Sequence, residues 1–200
     1  MSTGSTIVLF SGGLDSTLCC HIAKRDAQLQ KRDDGFSALF VNYGQTAAEL
    51  EMVRAAAARE KWELVCASVT PFPKSLDPAG TNYIAGRNAM FFALAAGMLG
   101  AEGGTVYIGS NADDYKDYPD CRLEFFHAVE KLSDGKLNIQ APLINKSKLE
   151  VMKEALRRGI KLADTLSCYQ PTWNGNSWLH CGECNACVLR LKAQREVSMR

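Results

Sequence analysis

The sequence contains no apolar run long enough to span a membrane, and it has almost no excess charge of either sign. The 23 lysine and arginine residues nearly balance the 22 aspartate and glutamate residues, which leaves a formal net charge of +1. A transmembrane helix needs about 20 consecutive apolar residues, and a large nucleic-acid footprint usually appears as a strongly basic face. The first ten residues also lack the features of a secretory signal. We therefore expect a cytoplasmic protein with neither a membrane nor a nucleic acid as its partner.

Internal repeats and low-complexity linkers are also missing, which argues against a repeat array. The 200 residues, 46% of them apolar, suffice for one domain with a sizeable core and a small appendage. We predict an α/β domain over residues 1–163 and a separate C-terminal segment over residues 164–200, whose cysteines are described below.

Strand and helix patterns alternate along the first half of the chain. Such alternation is typical of an α/β fold, here a mainly parallel five-stranded sheet with helices on both faces, in which ligands bind beyond the carboxyl ends of the strands. The helix over 87–100 is almost entirely apolar, so we expect it to be packed on both sides. The pattern predicts strands at 6–10, 36–43, 62–69 and 105–109, an extended piece near 137–143, and helices from Asp15 and over 46–61, 87–100, 121–133 and 147–159.

A glycine-rich loop, FSGGLDST (10–17), follows the first predicted strand. Gly12 and Gly13 allow a tight turn whose N–H groups, with those of the next helix, can point at an anion. The loop lacks the lysine with which a P-loop reaches the β- and γ-phosphates. It could instead hold those phosphates as a leaving group, so that attack on the α-phosphorus adenylates a substrate. The alternative is a plain strand–turn–helix connection with a serine cap.

Cysteines are concentrated near the C-terminus, in CYQPTWNGNSWLHCGECNAC (168–187). Four thiolates at this spacing suit tetrahedral Zn²⁺. A redox Cys-x-x-Cys pair, an iron–sulfur cluster or coincidental core cysteines are the alternatives. His180 is expected to be a bystander or a donor to a ligand, and Cys19, Cys20 and Cys66 to be buried. The predicted metal ligands are Cys168, Cys181, Cys184 and Cys187.

Two further polar stretches fall where the sheet is expected to bind ligands. Arg87 and Asn88 start the apolar helix, and Arg87 could clamp a phosphate or a carboxylate rather than merely solvate the helix start. Residues 108–122 form a predicted polar loop, in which Asp114 or Asp120 could accept from the N–H edge of a purine and Tyr115 could stack on its ring. Such a loop could also be an ordinary solvated surface.

The motif SGGLDS (11–16) resembles the pyrophosphate loop of the ATP-pyrophosphatase superfamily, whose members adenylate a carbonyl oxygen and let a nitrogen or sulfur nucleophile displace AMP. The chain as a whole resembles one branch, the 7-cyano-7-deazaguanine synthase family of the queuosine-precursor pathway. The resemblance covers nearly the whole chain. It departs from the usual Asp-Tyr-Gly-Gln-Arg-His at Asn42 and Thr46-Ala47. The other matching motifs are YGQ (43–45), GRN (86–88), IGSNADDYKDYPDCR (108–122) and SCY…CGECNAC (167–187).

This resemblance implies an adenine nucleotide alpha hydrolase-like, Rossmann-like fold and a homodimer that uses ATP, Mg²⁺ and Zn²⁺. The implied substrates are 7-carboxy-7-deazaguanine and ammonia, which give an amide and then, after a second activation, the nitrile. The implied catalytic residues are Ser11, Asp15, Ser16 and Arg87. The implied nucleotide-binding residues are Phe10, Ser11, Gly12, Gly13, Leu14, Asp15, Ser16, Thr17, Tyr43 and Gln45. The implied substrate-binding residues are Arg87, Asn88, Asn111, Asp114, Tyr115, Asp120 and Arg122.

Three other functions remain open from the sequence. Relatives in phage and bacterial defence systems stop at the amide or join the deazaguanine to a protein amine, which would make a protein acceptor the partner. A tRNA-thiolating enzyme could use the same loop, although the near-neutral charge and the lack of an added RNA-binding domain count against it. A non-catalytic, zinc-stapled nucleotide-binding module is the third.

Overall fold

A parallel sheet forms the centre of the protein. The computed structural model describes residues 5–30, 35–45, 47–70 and 83–199. The sheet has five strands in the order β3-β2-β1-β4-β5, and each neighbouring pair is parallel. This confirms the predicted fold class. The strands are β1 (Ser5–Leu9), β2 (Ser37–Asn42), β3 (Glu63–Ser68), β4 (Gly104–Tyr107) and β5 (Leu137–Gln140).

Helices cover both faces of this sheet because its central strands are apolar on both sides. Val8 of β1 packs into one hydrophobic cluster with Leu18 and Met152, whereas the adjacent Ile7 packs into a second cluster with Phe92. Among the described residues, no helix is both long and apolar enough to cross a membrane. The helices are α1 (Leu14–Leu29), α2 (Ala47–Glu60), α3 (Arg87–Leu99), α4 (Ala112–Asp117), α5 (Leu123–Leu132), α6 (Lys148–Arg157) and α7 (Asn185–Ser198).

Short elements join these helices and strands. Single 3₁₀ turns lie at Gly100–Glu102, Pro119–Cys121 and Leu162–Asp164. A small antiparallel hairpin of β6 (Thr172–Trp173) and β7 (Trp178–Leu179) precedes α7. The sequence patterns predicted neither this hairpin nor α7.

The segment 108–122 is not the loop that its polar composition predicted. It contains α4 and a 3₁₀ turn because Asn111 builds a capping box. The Asn111 side chain accepts from the N–H groups of Asp113 at 2.8 Å and Asp114 at 3.2 Å, and the Asp114 carboxylate accepts from the Asn111 N–H at 3.1 Å. These bonds satisfy N–H groups that a helix start leaves without partners. The acidic run is therefore a helix start.

Two burial predictions are wrong. Helix α3 buries a single stripe and leaves Met98 43% exposed on its outer face, because an apolar composition does not reveal whether a second surface exists to cover it. Cys66 is exposed, unlike the fully buried Cys19 and Cys20. It lies on β3, an edge strand on which intermediate and exposed residues alternate. The buried stripe of α3 comprises Asn88, Phe92, Ala95 and Leu99.

Candidate active site and metal centre

A cavity of about 270 Å³ opens beyond the carboxyl ends of β1, β2 and β4. The chain runs outward from β1 to β2 on one side and to β4 on the other, so the cavity lies at the point where the strand order reverses. Open parallel sheets bind ligands at such points. The predicted site residues that line the cavity are Phe10, Ser11, Gly13, Asp15, Ser16, Tyr43, Gln45, Arg87, Asn88, Asp114 and Cys168.

The loop after β1 is closed by its own serines. The Ser11 N–H donates to the Ser16 hydroxyl at 3.2 Å, and that hydroxyl donates to the Gly13 carbonyl at 3.1 Å. Gly12 has a φ of +72°, and a Cβ there would lie 3.3 Å from Val53, so this position needs glycine. The closed loop leads directly into the first turn of α1, whose N–H groups lack partners within the helix and can bind an anion.

A lysine from α6 lies beside this loop. Lys148 is the first residue of α6 and is only 7% exposed. Its ammonium group pairs with one carboxylate oxygen of Asp15, and the Asn111 side chain donates to the other at 3.3 Å. Sequence reasoning missed this residue. The pattern Ser147–Glu150 marks a helix start, but nothing in it indicates a contact 133 positions away.

A second carboxylate, Asp114, lies near Asp15. Burial and the charge of Asp15 raise the pKa of Asp114 to about 6, although the N–H bond from Asn111 opposes this shift. Asp113 accepts from the backbone N–H of Lys148 at 3.1 Å and so joins α4 to α6. The two neighbouring carboxylates offer the oxygen ligands that Mg²⁺ prefers. The lysine beside them offers a cation for phosphate oxygens.

The turn after β2 forms the opposite wall. Gln45 closes this turn, since its side chain donates to the Val41 carbonyl at 2.8 Å and accepts from the Tyr43 N–H at 2.7 Å. Asn42, where the family usually has aspartate, accepts from the Gly44 N–H at 3.1 Å. These side chains therefore shape the turn. Thr46 lies outside the described residues.

Arg87 and Glu49 bring charge to this wall. The Arg87 guanidinium lies 5.6 Å from the centre of the Tyr43 ring and donates to its hydroxyl at 3.4 Å. Burial raises the pKa of Glu49 to about 7, against the opposing effects of Gln45 and Arg87. Glu49 lines the cavity, yet in the sequence it is one acidic residue of an alanine-rich helix. The sequence therefore offered no signal for it.

The remaining predicted residues do not line the cavity. Their neighbour Asn88, which does line the cavity, donates from its side chain to the Asp120 carbonyl at 3.1 Å. Asp120 is 3% exposed, and its Oδ2 has no hydrogen-bond partner among the described residues. Arg122 donates to the Tyr115 carbonyl at 3.1 Å and lies 5.9 Å from its ring, so these two side chains contact each other. The predicted residues outside the cavity lining are Gly12, Leu14, Thr17, Asn111, Tyr115, Asp120 and Arg122.

The four predicted cysteine ligands converge beside the cavity, which Cys168 lines. Their sulfur atoms all lie within 4.8 Å of one another, and those of Cys181 and Cys187 are 3.9 Å apart. A tetrahedral zinc ion with Zn–S bonds of about 2.3 Å places its ligand sulfurs about 3.8 Å apart. The geometry therefore fits a tetrahedral metal. His180 lies outside the group, with its ring nitrogen 3.7 Å from the Cys187 sulfur.

Backbone N–H groups point at these sulfurs. The Cys184 N–H donates to Cys181 at 3.4 Å, and the Cys181 N–H donates to Cys168 at 3.2 Å. The bonds from Cys184 and Glu183 lower the pKa of Cys181 to about 6. Thiolate is the form that binds a metal, and these bonds favour it at Cys181, whereas burial raises the pKa of Cys168 and of Cys187.

The family model described as "Queuosine biosynthesis protein QueC" matches residues 5–75 and 65–198. The chain belongs to the QueC family. It is 35% identical to the 7-cyano-7-deazaguanine synthase of Pelobacter propionicus, over 96% of this chain and 94% of that protein. It is 34% identical to the protein of the same name from Myxococcus xanthus, with the same coverage. The predicted family is confirmed.

Solved structures share the QueC-family fold at low identity. The U34-tRNA thiolase NcsA from Methanococcus maripaludis, with its [4Fe-4S] cluster, aligns with a TM-score of 0.53 at 14% identity, over 98% of this chain and 72% of that one. The NH3-dependent NAD synthetase from Campylobacter jejuni aligns with a TM-score of 0.51 at 17% identity, over 80% and 66%. At these identities the likeness establishes the fold alone.

Proposed function

We propose that this chain is an ATP-dependent ligase that converts 7-carboxy-7-deazaguanine and ammonia, through the amide, to 7-cyano-7-deazaguanine. Membership of a family whose relatives are 7-cyano-7-deazaguanine synthases supports the reaction. The observation that carries the proposal is the contact of Lys148 with Asp15 at the head of α1. It combines a cation with the N–H groups of a helix start at one edge of the cavity.

This arrangement suits a polyphosphate tail that leaves as one piece. The first turn of α1 and the Lys148 ammonium bind the β- and γ-phosphates of ATP. Asp15 and Asp114 would hold Mg²⁺, which would supply charge neutralisation. A carboxylate oxygen of the substrate attacks the α-phosphorus, the bond to the β-phosphate oxygen breaks, and pyrophosphate leaves. Arg87 at the opposite wall orients the carboxylate.

Glu49 supports the second half of the reaction. Ammonia attacks the acyl carbon, AMP leaves with the bonding electrons of the acyl–oxygen bond, and the excess proton of the nitrogen passes to Glu49. A carboxyl group with a pKa of about 7 suits this role near neutral pH. A second ATP then activates the amide oxygen in the same way. Loss of AMP and of both nitrogen protons leaves the nitrile.

A zinc ion at the four cysteines completes the proposal. Its role there would be structural, because four thiolates fill a tetrahedral coordination shell and leave no position for a substrate. Cys168 and Cys187 would hold the C-terminal helix against the domain. Metal analysis by mass spectrometry, together with the absorption spectrum, distinguishes zinc from an iron–sulfur cluster, which absorbs visible light.

Two assays test the reaction. Pyrophosphate–ATP exchange in the presence of 7-carboxy-7-deazaguanine measures adenylation, and mass spectrometry of the products with ammonium present identifies amide and nitrile. We expect substrate-dependent exchange and both products in sequence. Release of ADP and phosphate instead of AMP and pyrophosphate would contradict the proposal.

The second candidate keeps the adenylation step and changes the acceptor, so that the product is the amide alone or a conjugate with a protein amine. The departures from the family motif at Asn42 and Thr46-Ala47 favour it, because they remove a carboxylate and an imidazole next to the turn that borders the cavity. Amide accumulation without nitrile, or a mass increase on a candidate acceptor protein, would identify it.

We also propose a homodimer in the cytoplasm. The outer face of α3 presents Ala93, Gly97 and Met98 to solvent, and a second copy would bury this apolar surface. Light scattering on the parent and on Met98→Glu tests this, with loss of the dimer expected in the variant.

A further inference from the structure

A short segment joins the cysteine centre to the loop after β1. We name residues 162–167 the bridging segment. The Leu166 N–H donates to the Gly12 carbonyl at 3.0 Å, and the Ser167 hydroxyl accepts from the Leu14 N–H at 3.5 Å. A Cβ on Gly13 would lie 3.4 Å from the Leu166 carbonyl oxygen. The bridging segment thus packs directly against the backbone of the loop and the first residue of α1.

Arg190 of α7 holds this segment in place from the other side. Its guanidinium donates to the Thr165 hydroxyl at 3.0 Å, the Ser167 hydroxyl at 3.1 Å and the Leu162 carbonyl at 2.5 Å. These acceptors lie at the start, middle and end of the bridging segment. One side chain therefore bonds to acceptors along the whole length of the segment, in addition to the segment's own hydrogen bonds.

The burial of Arg190 is costly and needs an explanation. The side chain is 4% exposed, and no carboxylate of the described residues forms an ion pair with it. Burial lowers its pKa, against the opposing charges of Asp15 and Cys187, and arginine keeps its charge in proteins. The three hydrogen bonds to the bridging segment offset part of the cost of burying this charge.

The cysteine centre includes one residue next to the bridging segment and one residue on the helix that carries Arg190. Cys168 follows Ser167 directly, and Cys187 lies on α7 one turn before Arg190. A metal bound by both cysteines would fix α7 relative to the bridging segment. It would therefore keep the Arg190 guanidinium within hydrogen-bond distance of its acceptors. Without the metal, α7 would keep its hydrogen bonds to the bridging segment and the packing of Ala193 in the core, but it would lose the link between Cys187 and Cys168.

We propose that Arg190 is a positioning residue that couples the cysteine metal centre to the nucleotide loop, acting through Ser167 on the backbone of Gly12–Leu14. Metal binding and nucleotide binding then strengthen each other, because linkage between two sites is reciprocal. The nucleotide part of this inference rests on the proposed function. The effect of Arg190 on the loop itself does not.

Hydrogen exchange of the loop is the direct test. It is measured by mass spectrometry on metal-loaded parent, Arg190→Met, Ser167→Ala and metal-stripped parent, with Lys192→Met as an exposed control on the same helix. We expect faster exchange over residues 11–17 in the two variants and the stripped protein, and parent rates in the control and over α5. Ser167→Ala removes one hydroxyl and keeps the test decisive if Arg190→Met folds poorly.

Binding measurements test the coupling. We expect Arg190→Met with its metal content intact to bind ATP about 10-fold more weakly than the parent. The double variant with Ser167→Ala should be no weaker than Arg190→Met, because both residues act through one contact. ATP should slow metal release to a chelator in the parent and not in Arg190→Met.

The outcomes separate the two claims. Parent-like exchange over residues 11–17 in Arg190→Met, or additive losses in the double variant, would overturn the role of Arg190. Unchanged loop exchange after metal removal would overturn the coupling. If the parent itself binds neither ATP nor pyrophosphate, the proposed function fails, while the exchange data still decide on Arg190.

Discussion

Replacing Lys148 with methionine tests the proposed nucleotide site most directly. The substitution keeps the length and the apolar stem of the side chain but removes the ammonium group that pairs with Asp15. Both side chains are largely buried, at 9% and 19% exposed, so solvent screens this charge poorly. The change removes a cation from the position proposed for the departing pyrophosphate. It also leaves the Asp15 carboxylate to repel that pyrophosphate.

The expected loss follows from this burial. Two unit charges about 4 Å apart interact by about 4 kcal/mol at the effective dielectric constant of about 20 that suits protein sites. Removal of one preorganised donor to a developing charge typically costs about 2.7–4 kcal/mol, or about 100- to 1000-fold in rate. We expect a loss in this range for the adenylation step. The free energy of unfolding should fall by about 3–5 kcal/mol, the cost of removing one partner of a buried ion pair.

The assay is pyrophosphate–ATP exchange at saturating substrate, with thermal unfolding measured in parallel. Lys146→Met is the matched control, because Lys146 precedes α6, pairs with Glu154 at 2.9 Å and is 37% exposed. This control should stay within about twofold of the parent rate, since partly exposed ion pairs contribute little. A double-mutant cycle with Asp15→Asn should show strong coupling. A Lys148→Met enzyme that exchanges within threefold of the parent would refute the assignment of the phosphate site.

Three further predictions concern the metal, the cavity wall and the loop. Cys184→Ser or a chelator should lower the metal content and the unfolding temperature, because a structural metal contributes folding energy; a stable, metal-free protein would contradict this. Burial raises the pKa of Glu49 from its ordinary 4.5 to about 7, so the folded state binds this proton more tightly than the unfolded state does. The parent should therefore lose stability relative to Glu49→Gln as the pH rises from 4.5 to 7. The rate of amide formation should increase with pH around pH 7 in the parent, and Glu49→Gln should lack this increase. An unchanged dependence of the rate on pH in the variant would exclude Glu49 as the proton acceptor. A Cβ on Gly109 would lie 3.0 Å from the backbone of Asp15 and Ser16, so Gly109→Ala should slow adenylation by about 10- to 100-fold. Pyrophosphate–ATP exchange measures this loss, and a thermal unfolding curve like that of the parent serves as the control.

Much of the site could be predicted because it is local in sequence. The loop 11–16, the turn 43–45 and the start of α3 each follow from a few adjacent residues, and parallel strands bring their ends to one edge of the sheet. Cys181, Cys184 and Cys187 form a compact motif of the same kind. The residues that were missed belong to partners distant in the chain. Lys148 carries no local mark that sets it apart from the lysines that lie on the surface, and Arg190 is one of several basic residues on α7.

Other differences arose because composition does not determine what covers a surface. The apolar α3 was expected to be buried on both sides, and the acidic 108–122 segment was expected to be a loop. In the folded chain, α3 finds only one face of the sheet to pack against, while Asn111 turns the acidic run into a capped helix. Capping and burial depend on which groups meet in space.

The sequence by itself determined the parallel α/β architecture, the glycine-rich loop after β1 and the four-cysteine cluster, because strand periodicity, glycine turns and ligand spacing act over a few residues. Only the tertiary structure decided that a lysine from α6 reaches the loop after β1, that Glu49 meets Arg87 across one cavity, and that Arg190 ties the cysteine centre to that loop. These contacts join residues far apart in the chain, and their energies depend on burial and distance, which exist only once the sheet and its helices have assembled.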